Sequence, residues 1–221
     1  HLTQSLAISR TLGDKAGEAS ALEKLANLVD ATLGEYAASK ELAMQTLHRS
    51  RELGRPDWIA YALDTLGFVT FALGEYADSE LFYRESLQLF ESIDDQYGIA
   101  MALGGLGLLY WAIGGEKLAE AHDYLQRSLV ICRAIGHQGQ VAGRLAGLAR
   151  IANDQGHYQQ AQALAQAGLA IARELGSPVY LAHLVSCLGE TAYRSADLMT
   201  ARAYLLEALQ LTAANEIFAH L

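Results

Sequence analysis

The string Leu33-Gly34-Glu35-Tyr36-Ala37 returns unchanged forty residues later as Leu73-Gly74-Glu75-Tyr76-Ala77. An internal repeat of this length constrains the chain more than its composition does, because each copy must bury its apolar face against its neighbours rather than in a core of its own. The register runs further. A leucine followed by a small residue occurs at Leu25-Ala26, Leu66-Gly67, Leu106-Gly107, Leu148-Ala149 and Leu188-Gly189, with spacings of 41, 40, 42 and 40. A second small set falls at Ser39, Ser79, Ala121, Ala161 and Ala201, and a third at Thr46, Ser86, Ser128, Gly168 and Ala208. Seven residues are two helical turns, so these last two sets share one helix face, where short side chains admit a neighbouring helix. Each block therefore reads as an antiparallel pair of helices.

The chain's chemistry supports this. Proline occurs only at Pro56 and Pro178, and alanine and leucine dominate, so long helices are the cheapest backbone to form. Arg51-Glu52-Leu53-Gly54, Arg133-Ala134-Ile135-Gly136 and Arg173-Glu174-Leu175-Gly176 each close a helix on a glycine, as Gly13 does earlier. Gly34, Gly74, Gly114 and Gly156 divide the two helices of a pair, and Ala196 takes that place in the last, which predicts the least ideal hairpin there. The expected elements are a helix over 2–12, then pairs 15–32/35–53, 57–73/75–93, 97–113/117–135, 139–155/157–175 and 179–195/197–213. The corresponding blocks are a partial repeat 1–13, repeats 14–54, 55–94, 95–136, 137–176 and 177–214, and a remnant 215–221 that would start another first helix. The expectation is one all-α domain over 1–221, a right-handed solenoid of about eleven helices. Its ends read as cuts within a longer chain.

Several chemistries find no support. A net charge of −9, from 25 acids and 16 bases without a basic cluster, opposes direct nucleic-acid contact. Cys132 and Cys187 stand 55 residues apart, which makes neither a disulfide framework nor a metal knuckle and suits reduced thiols in a cytoplasm. No phosphate-cradling Gly-rich loop, paired histidine motif or nucleophile elbow occurs, so no cofactor, metal or catalytic residue is expected and the chain reads as non-enzymatic. Gly104-Gly105-Leu106-Gly107 sits in a helical pattern, where its glycines read as helix-packing contacts. Residues 96–115 carry no charge and are long enough to cross a bilayer, but their glycines and repeat register argue for a place in the stack.

The pattern at Leu66-Gly67, Gly74-Glu75-Tyr76, Ser79 and Ser86 resembles the tetratricopeptide repeat, and the resemblance extends over nearly the whole chain. The forty-residue form is similar to the repeats of kinesin light chain, of spindle-orientation adaptors and of bacterial signal-transducing ATPases such as the maltose-operon activator. The chain departs from the pattern at Leu118 and Leu198, which stand where Tyr36, Tyr76 and Tyr158 do elsewhere, and around Gly115-Glu116, where a repeat is lengthened.

The resemblance implies that the first helix of each pair lines a concave binding face. By register the ligand-facing residues are Tyr61, Asp64, Phe68 and Phe71 of the second pair and Met101, Leu108 and Trp111 of the third. From the fourth and fifth pairs come Arg150, Asn153, Glu190, Tyr193 and Arg194. The first pair adds acids such as Glu23. Pairs two and three give an apolar and aromatic belt, with Gly104 and Gly105 expected to leave open space beside Trp111. Pairs four and five give polar groups that would set orientation. The implied function is recognition of a protein or peptide partner or a small effector, as the sensor arm of a bacterial signal-transducing ATPase or transcription regulator acting with other domains of its chain. The alternative is a constitutive scaffold that holds a partner peptide without switching.

Overall fold

The computed structural model describes residues 1–33 and 35–219, and the side chains of 27–33 and 213–219 are outside the description, as is Gly34. The described residues are helical throughout: α1 Leu2–Leu12, α2 Lys15–Leu33, α3 Tyr36–Leu53, α4 Pro56–Ala72, α5 Tyr76–Ser92 and α6 Gln96–Ile113. They continue, after a 3-10 turn at Gly115–Lys117, as α7 Leu118–Ala134, α8 Gln138–Asp154, α9 Tyr158–Leu175, α10 Pro178–Arg194 and α11 Leu198–Ala219. The chain divides within α6 into two compact units, His1–Leu109 and Tyr110–Leu221.

The helix pairs lie where the repeat places them, to within a residue or two at most ends. The lengthened repeat is absorbed by the 3-10 turn, so α7 begins at Leu118. One expectation is corrected: no new helix opens at 215, because α11 runs unbroken through to Ala219. Positive φ falls at the predicted glycines from Gly13 to Gly176 and also at Gly115 in the lengthened repeat, and Gly34 lies outside the described residues. Two further turns lack glycine. Ala196 takes φ 65°, as the missing glycine implies, and Asp94 takes φ 55° between α5 and α6, where no glycine marks the sequence.

In the first unit successive helices from α1 to α5 pack in order and α2 also meets α4; in the second, α7 to α11 pack in order and α8 also meets α10. Contacts between first helices of adjacent pairs are what a stacked repeat requires. The small-residue positions are the points of contact. In the first unit, the buried hydroxyls of Ser39, Ser79 and Ser86 donate to the carbonyl oxygens of Ala26, Gly67 and Ala60 at 3.0, 2.8 and 2.9 Å. A short hydroxyl thus satisfies itself on the helix it touches, which removes the cost of burying it.

Glycine supplies the rest of the closeness. A Cβ on Gly67 would lie 2.7 Å from the Tyr83 ring, and one on Gly105 would lie 2.3 Å from the same ring. Two turns on, a Cβ on Gly98 would lie 2.1 Å from Phe90. Tyr83 and Phe90 therefore stand seven apart on α5 and seat in gaps seven apart on α6, running antiparallel. The second unit repeats the device with Leu184 on Gly168 and Leu205 on Gly189. The space beside Gly105 is thus filled by Tyr83 rather than open, which corrects that expectation, while its reading as a packing contact holds.

Among the described residues, α6 is the one helix long and apolar enough to cross a membrane. Part of its apolar content lies inside the stack: Ala100, Ala102, Leu103, Leu106 and Leu109 are all buried.

Two stability outcomes follow from this packing. Gly67→Leu drives a side chain into Tyr83 and lowers unfolding stability by about 1–3 kcal/mol in urea titrations. Ala196→Gly relieves a left-handed alanine and raises stability by about 0.5–1 kcal/mol, the strain of roughly 1–2 kcal/mol being partly offset by glycine's extra unfolded-state entropy.

Candidate functional site

In the first unit the candidate residues of α4 divide by what holds them. Tyr61 is anchored: its ring meets Phe90 edge-on at 4.8 Å and its hydroxyl donates to Asp95 Oδ2 at 2.8 Å. Burial first, and the Asp95 carboxylate second, push its phenol well above the usual range, so it stays neutral. Asp95 also accepts the Gly98 amide at 3.0 Å and so caps α6. Phe71 stacks on Tyr76 at 6.1 Å within its own hairpin. Phe68 touches Tyr36 edge-on at 6.3 Å, yet remains 41% exposed. Asp64 is half-buried on the same helix, and Met101 and Leu108 are half-buried on α6.

The second unit gathers its candidates into one cluster. Trp111 at the end of α6 donates its indole N–H to Asp154 Oδ2 at 2.7 Å, and the Arg150 guanidinium lies over the Trp111 ring at 5.2 Å. Arg150 and Asp154 are one helical turn apart on α8, so both reach the same ring. From α10, Arg194 pairs with Asp154 at 3.0 Å and with Glu190 at 2.8 Å, and its guanidinium also meets the Asn153 carbonyl at 3.4 Å. Trp111, Arg150, Glu190 and Arg194 thus come together. Tyr193, which precedes Arg194 on α10, is 64% exposed.

Asn153 behaves differently from its expected place on an open face. It is 1% exposed, and neither its Nδ2 nor its Oδ1 has a hydrogen-bond partner. A buried, unpaired amide costs roughly 1–3 kcal/mol, a local defect of the kind found at functional sites.

Arg150 makes no ion pair of its own: among the described residues no carboxylate lies within ion-pair distance of it, while Arg194 has two. Its charge is felt across to α10: loss of hydration first, and Arg150 second, hold the His183 imidazole below its ordinary value, although His183 keeps an exposed edge. Burial above all raises the Cys187 thiol, and with the side chain 1% exposed this leaves it a packing residue rather than a nucleophile. Among the described residues no group of three or more His, Cys, Asp or Glu is placed to hold a metal ion.

The repeat register overlooked Asp154 and Asp95, which fix Trp111 and Tyr61, two of the aromatic candidates. Asp95 had a readable signal, an acid just before an apolar helix. Asp154 had only its four-residue spacing from Arg150.

Because His183 loses its proton more easily beside Arg150, Arg150→Ala shifts the His183 titration to higher pH, as read from imidazole NMR signals. The sign is set by removal of a like charge. With its folded value depressed, His183 withholds a proton that the unfolded chain takes up, so it lowers stability as pH falls through the usual histidine range.

Residues 58–129 match the tetratricopeptide repeat family model. No curated protein matches the chain in sequence. Among solved structures the chain is similar to BtubC (BKLC) from P. vanneervenii, with a TM-score of 0.74 at 19% identity over 96% of this chain and 89% of that one. It is also similar to a Rap protein complexed with Competence and Sporulation Factor, with a TM-score of 0.76 at 21% identity over 94% of this chain and 57% of that one. A third likeness is to a Signal Transduction ATPase with Numerous Domains (STAND) protein with a tetratricopeptide repeat sensor from Pyrococcus horikoshii. There the TM-score is 0.71 at 16% identity over 96% of this chain, which spans 32% of that protein. These likenesses carry the fold: an all-α array of tetratricopeptide-type helix pairs, a fold that generally serves as a protein-interaction scaffold.

Proposed function

We propose that this tetratricopeptide-repeat chain is the ligand-recognising arm of a cytoplasmic bacterial regulator, binding a peptide or small effector through the first helices of its pairs. The observation that carries the reading is the Trp111–Arg150 pair: an aromatic face and a guanidinium without a carboxylate partner among the described residues. Such a group is incomplete without a ligand acceptor. The neighbouring Arg194, held between Asp154 and Glu190, is already neutralised and serves to position rather than to bind.

The ligand this favours carries an acidic group for Arg150 and an apolar portion for the Trp111 ring. In the first unit, exposed Phe68, with Met101, Leu108 and Asp64, would contribute apolar contact flanked by acids, which suits a segment that is apolar centrally and basic at one end. Recognition by such an array is supported by two of the similar structures, one a Rap protein complexed with Competence and Sporulation Factor and the other a STAND protein with a repeat sensor. In the sensor reading, the ligand acts by favouring one arrangement of the array in a longer protein.

A thermal-shift screen of short acidic peptides and small carboxylates checks the proposal. Binders should raise the melting temperature and lose about tenfold or more in affinity on Arg150→Ala or Trp111→Ala. Phe68→Ala, at a half-exposed ring, should cost about 1–2 kcal/mol of stability, below the roughly 3–5 kcal/mol of a fully buried aromatic. Binders indifferent to both Arg150→Ala and Trp111→Ala contradict the site. Binding that leaves the hydrogen exchange of the array unchanged contradicts the sensor reading and favours the constitutive scaffold.

A further inference from the structure

We propose that a cleft in the first unit is a receptor for a primary alkylammonium group, the charge borne by a lysine side chain or a free alkylamine. This goes beyond the reading above, since it stands on other side chains in the other unit. The cleft holds about 240 Å³ and is lined by Ala19 and Glu23 of α2, Thr46 and Ser50 of α3, and Asp57, Trp58 and Tyr61 of α4. That space is below the roughly 300–1,000 Å³ of pockets for drug-sized ligands, and it suits a single side chain.

Two acceptors in the lining lack donors. Ser50 is fully buried, and its Oγ has no hydrogen-bond partner. Glu23 is half-buried, and among the described residues no cation lies within ion-pair distance of it. Burial pushes its carboxyl above the ordinary value, only partly countered by the charge of Lys24. An ammonium has three donors and no acceptor, so it answers both groups at once.

The other walls select for the same chemistry. Asp57 is already matched by Arg55, whose Nε and Nη2 donate to Oδ1 and Oδ2 at 2.9 and 2.6 Å, which leaves Glu23 as the lining carboxylate without an ion-pair partner among the described residues. Thr46 Oγ1 is committed to the Leu42 carbonyl at 3.0 Å, which leaves Ser50 as the open hydroxyl. Tyr61 sends its hydroxyl to Asp95 and so presents its ring. The Tyr61 and Trp58 rings and the Ala19 methyl would pack the methylenes of an alkyl stem, one face of Trp58 being already covered by the Arg55 guanidinium at 4.8 Å.

The chain has two tryptophans, Trp58 in this cleft and Trp111 in the second unit's cluster, so their indole N–H signals report the two sites separately. Nitrogen-15-labelled protein is titrated with Nα-acetyl-lysine N-methylamide, with 1,5-diaminopentane, and with the uncharged Nα-acetyl-norleucine N-methylamide. The expected result is a saturable shift of the Trp58 indole signal with an amine and none with the norleucine analogue. Response to the lysine derivative alone identifies a peptide lysine as the source, and response to the diamine identifies a free amine. Glu23→Gln should weaken binding about tenfold or more, Ser50→Ala should weaken it a few-fold without loss of melting temperature, and Arg150→Ala should leave it unchanged. No saturable response of Trp58, as for a cleft holding only water, or equal binding by Glu23→Gln, overturns the proposal while leaving the Trp111 site intact.

Discussion

The structure depends on how closely its helices approach one another. A forty-residue hairpin cannot enclose a core alone, so each helix must be covered by its neighbours, and the distance between them is set by the smallest side chains at the crossing. Around Tyr83 this is most explicit. One aromatic ring occupies the volume that Cβ atoms would take on both Gly67 and Gly105, so α5 is held against the first helices of its own pair and the next. Phe90 on Gly98 repeats the contact two turns along. The serines at equivalent positions add direction, because a hydroxyl seated on a backbone carbonyl fixes rotation where an alanine would only permit approach.

This packing decides which side chains remain for recognition. A helix with neighbours on two sides has less apolar surface left over, and Leu63, Leu66 and Val69 of α4 and Leu103, Leu106, Leu109 and Tyr110 of α6 are consumed inside the stack. What is left is chemically uneven. In the second unit a guanidinium without an acid lies on an indole that an aspartate holds in place. In the first, a half-buried acid and an unpartnered hydroxyl share a small cleft. Both arrangements carry local cost, because a buried polar group without a partner has given up its hydration without a hydrogen bond in return.

Legibility in the sequence follows from the physics of each feature. Turns at Gly54, Gly136 and Gly176 were readable because a left-handed residue selects glycine, and Ala196 stood out for lacking it. Asp94 adopts the same conformation without that mark, since aspartate tolerates it at modest cost. Likewise the register of α4 placed Tyr61, Phe68 and Phe71 on one face, but one face meets several neighbours. Tyr61 is tied to Asp95, Phe71 lies on Tyr76, and Phe68 alone of the three keeps a large exposed area.

From the sequence alone came the period, the paired helices, the positions of closest approach and the class of fold, because each is set by spacing along one chain and by the conformational limits of single residues. Tertiary structure decided which ring fills which glycine gap, why Gly105 offers no free space, and that Asn153 is sealed off while Arg150 lies on the Trp111 ring without an ion pair of its own among the described residues. Those outcomes rest on which side chains from separate helices compete for one volume or one charge, and a helical register records the direction of a side chain but not the partner that reaches it first.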